Sequence, residues 1–202
     1  MKRRLVTPLP ALLLLPLLFL LLILLLFLSG CSTTPPDRPA GSDRSSGPAP
    51  SSGAPFTATD SGWIQLMTPM SEQAGQLLAM ASTHESAPPL ASWATALAKE
   101  HRTELAQLRQ LLRRMGLPDT NVHEGHDMPG MVTDADLDRA RRLTGADFDG
   151  FVRQEIRAHL EQSGRVSRSE SRAGGSEEAK RLAARIAGSR AEQLKTLSSL
   201  DE

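Results

Sequence analysis

The sequence predicts an all-α domain: a bundle of four long helices arranged as two hairpins, with an additional short helix between them. Two observations carry that prediction. Apolar residues recur at intervals of three and four from about residue 60 onward, and short clusters rich in Pro, Gly and Ser divide the periodic stretches. A chain of 202 residues with no Tyr and 3% aromatic residues also suits a core of Leu, Ala and Met.

The N-terminal end reads as an address and not as fold. Lys2, Arg3 and Arg4 precede an almost unbroken apolar run from Leu5 to Leu28, the pattern of an export signal. The run meets Leu28-Ser29-Gly30-Cys31, which resembles the lipobox of bacterial lipoproteins, where a signal peptidase cuts before the Cys and the thiol accepts diacylglycerol. Cys31 is the single Cys of the chain, so it has no disulfide partner. The alternative is an uncleaved anchor, since the run is long enough to span a bilayer. Both readings hold the remainder at the extracytoplasmic face of the membrane. Without residues 1–30 the chain keeps 20 basic and 23 acidic side chains, no electrostatic footprint for nucleic acid. Residues 31–59 are dense in Pro, Ser and Gly and bury almost nothing, so they form a disordered tether with a reach on the order of 30 Å.

The folded domain is expected over residues 60–202. Its first helix starts at Thr59 or Asp60, carries Trp63, Leu66, Met67, Met70, Ala74, Leu77, Leu78 and Ala81 on one face, and ends near Thr83. Pro88 and Pro89 suit the first turn of a second helix, whose stripe from Leu90 through Leu97, His101 and Leu108 to Met115 stops at Gly116. The short connection makes these a hairpin, residues 60–116. After a linker, 117–132, the second hairpin occupies 133–200. Thr133 and Asp136 form a capping box for a short helix. Asp147 caps the next, which presents Phe148, Phe151, Val152, Ile156, His159 and Leu160 and breaks in the polar stretch 163–175. Ser176 opens the last, with Glu177 and Glu178 at its positive end and Leu182, Ala183, Ile186, Leu194 and Leu197 facing inward.

Several short motifs along this domain resemble one known family. Met67, Met80-Ala81, the pair His101 and Glu104, the linker Met128-Pro129-Gly130-Met131, Phe148-Asp149, and the pair Ser189 and Glu192 fall in the order found in the family called domain of unknown function 305 (DUF305). The resemblance covers about residues 60–200. It implies a ferritin-like four-helix fold in exported bacterial proteins, with an inward-facing metal site of histidine pairs, Met and Glu, and copper as the metal. This chain departs from that pattern where it matters most. Met70 and Ser71 stand at the first His-His pair and Ala158 and His159 at the second. What remains for an interior site is Met67, Met70, His101, Glu104, His159 and Glu192. Each has a plainer reading: the methionines as core, the histidines as buried groups hydrogen-bonded to Glu104 or Glu192, and the glutamates as surface charges.

A second candidate lies in the linker. His123, His126, Met128 and Met131 supply imidazole and thioether, which suit copper and not Mg or Ca. A structural loop with incidental ligands is the other reading. No nucleophile, base and orienting group stand in a recognisable arrangement, so the chain is not expected to be an enzyme. Two roles stay open: a lipid-anchored protein that binds or buffers copper, or a bundle serving as an envelope interaction or scaffold module.

Overall fold

The computed structural model describes residues 56–83 and 86–200; the stretch read as an export signal, Cys31 and all but the last residues of the expected tether lie outside them. Within the described residues every regular element is a helix: α1 Ala58–Thr83, α2 Pro88–Arg114, α3 Asp134–Ala140, α4 Gly145–Ala173 and α5 Glu177–Ser199. The expected plan of four long helices and one short one is present, and the differences lie at the ends. None of these helices is long and apolar enough to cross a membrane.

The cap of α1 is Thr57 and not Thr59 or Asp60. The Thr57 hydroxyl accepts the Asp60 amide at 3.3 Å, and the Asp60 carboxylate accepts the Thr57 amide at 2.6 Å. The helix thus begins two residues inside the stretch read as tether. Pro88 and Pro89 do open α2, and Gly116, with φ +69°, ends it in the left-handed conformation that glycine tolerates. The amide of Ala87, just before α2, donates to Asp149 of α4 at 3.0 Å. One hairpin therefore supplies the acceptor that an exposed helix start in the other lacks. The capping box of Thr133 and Asp136 forms at α3, and Ser176 caps α5 by accepting the Ala179 amide at 3.3 Å.

The largest correction concerns α4. Thr144 stands at its cap and Asp147 in its first turn, and the helix runs unbroken to Ala173 through the stretch expected to end it. Ser163, Gly164, Ser167 and Glu170 are all buried, continuing the inward stripe at helical spacing. A Cβ at Gly164 would lie 3.1 Å from that of Arg190, so the glycine lets α5 approach. Weak local helix preference is overridden by packing along the helix's whole length.

α1 packs along α2, α4 along α5, and α1 on α4, whereas α2 and α5 touch at only a few points. Two apolar clusters result. One gathers Ala74–Ala81, Ala94–Ala98, Phe148–Leu160 and Leu197; the other gathers Trp63–Met67, Leu108–Leu112 and Ala179–Ile186. Leu97 and Ile186 are 2% and 3% exposed, one in each cluster. Shortening either to Ala removes buried methyls and leaves a cavity, so each variant should lose about 2 to 5 kcal/mol in urea unfolding followed by circular dichroism.

Candidate functional site

Between the two apolar clusters lies a polar layer, and it falls at the level where the interior site was expected. His101 of α2 and His159 of α4 are 1% and 0% exposed, with ring centroids 5.3 Å apart and their Nε2 atoms 3.2 Å apart. Nδ1 of His101 lies 3.2 Å from the Leu97 carbonyl, which can only accept, so Nδ1 carries that ring's hydrogen. His159 then donates from Nε2 to His101, and its own Nδ1 is a lone pair with no partner at normal geometry. The Gly130 backbone acts on this ring from the linker turn and favours its doubly protonated form, but burial outweighs it. That turn sits hard against α4. Gly130 has φ +75°, and a Cβ on it would come within 2.5 Å of the Ala158 carbonyl oxygen.

The dominant charge in the layer is Arg190 of α5, which is 1% exposed. Its Nε donates to Ser163 Oγ at 2.8 Å, Nη1 to Gln193 Oε1 at 3.1 Å and Nη2 to Glu104 Oε1 at 2.5 Å. Ser71 donates to the same Glu104 oxygen at 3.0 Å, and Gln193 passes a further bond to Glu100 at 2.8 Å. Burial first, and the Arg190 guanidinium second, hold the His101 ring down to about 4 and the His159 ring well below its ordinary value. Both imidazoles are therefore neutral at neutral pH.

Of the six residues expected to form an interior site, the structure joins three into this layer: His101, His159 and Glu104. Met67 is buried in the neighbouring apolar cluster, where its sulfur accepts from Ser167 Oγ at 3.7 Å, and Met70 is buried too. Glu192 is exposed. The inward residue is Gln193, one position later, and the histidines bond to each other and not to Glu104 or Glu192. Among the described residues no three His, Cys, Asp or Glu side chains converge as a metal site would require. Sequence reasoning passed over Arg190, although its spacing was legible. It stands four residues after Ile186 and seven before Leu197, on the buried stripe of α5.

The linker histidines line a cavity separate from the polar layer, whereas Met131 is buried in the core. His123, His126 and Met131 line a cavity of about 590 Å³ with Glu124, Asp127, Asp134 and Asp136, while Met128 does not line it. A different opening runs between α2 and α5, where the two helices stand apart. Two adjoining cavities of about 510 and 530 Å³ share Ala96, Glu100, Ser189 and Gln193, making one groove with Leu97, Leu182 and Ile186 among its lining.

The ion pair makes a sharp energetic test. Glu104→Ala strands a buried guanidinium and should cost about 3 to 5 kcal/mol, whereas replacing both Glu104 and Arg190 by Met should cost far less, because no unpaired charge is left inside. Urea unfolding of the two variants should show the double change as the milder.

Comparison with known proteins agrees with this architecture. The family model described as "Domain of unknown function (DUF305)" matches residues 60–200. A crystal structure described as a "putative secreted protein DUF305" from Streptomyces coelicolor superposes with a TM-score of 0.62 at 19% identity, covering 70% of this chain and 91% of that one. A DUF305 fragment from Deinococcus radiodurans gives 0.64 at 18% identity, covering 72% and 97%. At these identities the likeness speaks for the fold alone. No curated protein matches the sequence.

Proposed function

Because the chain belongs to the DUF305 family, we propose that it is an extracytoplasmic helical module, tethered through lipid on Cys31, that binds a protein partner along the α2–α5 groove. The observation that carries this reading is Arg190. A guanidinium fixed to Glu104 in the centre of the bundle opposes any cation placed beside His101 and His159, and it engages Glu104 in an ion pair. The role proposed is binding, and the burial of the two histidines, which face each other, supports it. The export pattern of residues 2–31 supports the location, as does the description of the Streptomyces coelicolor neighbour as secreted.

The groove suits an amphipathic helix. Its apolar lining of Leu97, Leu182 and Ile186 is flanked by Lys99 and Arg185 and by Glu100 and Glu192, so a helix with an apolar stripe and charged flanks finds both kinds of contact. A photo-crosslinking residue at Ala96, inside the groove, should give a discrete adduct in intact cells, and one at the exposed Ala106 of the same helix should not. Equal labelling from both positions, or none, would sink this reading.

The linker favours a second reading, copper capture, through one observation: His123, His126 and Met131 share a cavity with four carboxylates. Equilibrium dialysis of the protein against Cu(I) under reducing conditions separates the cases. The first reading expects no copper whose retention depends on His101 and His159. Copper lost on changing His123 and His126 would establish the linker site, and copper lost on changing His101 and His159 would restore an interior one.

A further inference from the structure

A second buried polar group, remote from the layer, joins the start of α1 to the turn between α4 and α5. Asp60 is 0% exposed and its carboxylate is surrounded by donors. One oxygen accepts the Thr57 amide and hydroxyl; the other accepts the Gly175 and Ser176 amides, each at 3.1 Å, and Ser176 reaches the first oxygen as well at 3.2 Å. Glu170 of α4 is 1% exposed and no N–H or hydroxyl donor reaches either of its oxygens. Both carboxyl groups press on Gly174: a Cβ there would overlap Glu170 Oε1 and lie 2.9 Å from Asp60 Oδ1. Two facing carboxylates with one set of donors repel unless a proton lies between them.

We propose that Glu170 and Asp60 form a proton-operated latch, closed when Glu170 carries a proton and donates it to Asp60, and loosened when Glu170 ionises. The bond closes the seam between the first turn of α1 and Gly174–Ser176. Ionisation sets two negative charges together in a buried joint and weakens the hold of Asp60 on the Gly175 and Ser176 amides. A metal ion is a poor alternative occupant, because the Asp60 oxygens already face hydrogen-bond donors whose positive ends oppose a cation.

The charged groups facing Glu170 agree with this direction. Burial first, then the bond and the charge of Asp60 from α1, push the Glu170 carboxyl up to about 7, while Lys180 from α5 works the other way and is itself paired with Glu177 at 2.7 Å. At this end α2 contributes Arg114, which is tied to Glu178. Burial works to raise Asp60 as well, but its bonds from Thr57, Glu170 and Ser176 outweigh it and bring it down to about 2. The folded value of Glu170 lies above the ordinary one. Its favourable contribution is therefore complete below about pH 4.5 and is lost as pH rises through about 7. His101 and His159 act in the opposite sense, destabilising the fold as pH falls below their ordinary value, so overall stability against pH does not isolate the latch.

Hydrogen exchange read locally does. In the full chain in detergent, with rates corrected for their intrinsic pH dependence, protection of the Gly175 and Ser176 amides should fall by about tenfold or more between pH 6 and pH 8. In Glu170→Gln, whose amide donates to Asp60 at every pH, that protection should stay level. Level protection in the native chain, or the same fall in both proteins, would overturn the proposal. A carbon-13 titration of the native Glu170 carboxyl gives a check that needs no variant: a midpoint near 7 supports the latch, and one in the ordinary carboxylate range overturns it.

Discussion

The buried ion pair between Arg190 and Glu104 is the constraint around which the rest of the bundle is arranged. A guanidinium in an apolar interior is costly unless every face of it is bonded, and here Ser163, Gln193 and Glu104 take its three nitrogens. Those partners come from α4, α5 and α2, and Ser71 of α1 bonds the same glutamate. All four long helices thus meet in one polar layer. Sliding any of them by a turn would set Arg190 against Leu or Ala of the apolar clusters above or below. The layer opposes such slippage, which a uniformly apolar core of this composition would tolerate.

Burial, and then the same guanidinium, keep the two histidines neutral. An imidazole pair at the centre of a helical bundle is a natural place to look for a metal, yet a positive charge in the same layer favours neutral rings bonded to one another. His101 and His159 are buried and joined to each other by one hydrogen bond. The turn at Gly130 packs over this region so closely that the linker and the interior are one structural unit, although the linker's own histidines point to a separate cavity.

Joints between the hairpins follow a common device: a carboxylate from one hairpin caps backbone amides of the other. Asp149 of α4 takes the amide of Ala87 ahead of α2, and Asp60 of α1 takes the amides of Gly175 and Ser176 ahead of α5. Helix starts carry partial positive charge and unsatisfied N–H groups, so each such bond satisfies a donor and ties distant segments together. These joints stand at opposite ends of the bundle, and with the central layer they leave the α2–α5 side as the face that no other helix among the described residues covers.

Local chemistry alone was enough to place most of the helices. The 3–4 spacing of apolar residues marked α1, α2 and α5, the paired prolines opened α2, Gly116 closed it, and Thr133 with Asp136 and Ser176 marked two starts, because caps and stripes depend on neighbours within one turn. The motifs Met128–Met131 and Phe148-Asp149 pointed to the family for the same reason. What lay beyond the sequence involved partners far apart along the chain. The helix α4 persists through Ser163 to Ala173 because α5 covers its polar side, Arg190 is buried because residues 27 and 86 positions away bond to it, and Glu170 meets Asp60 across 110 residues. Helix identity is set by interactions of short range, whereas the protonation and pairing of a buried charge are set by whatever the fold brings beside it, and only the tertiary structure could supply those neighbours.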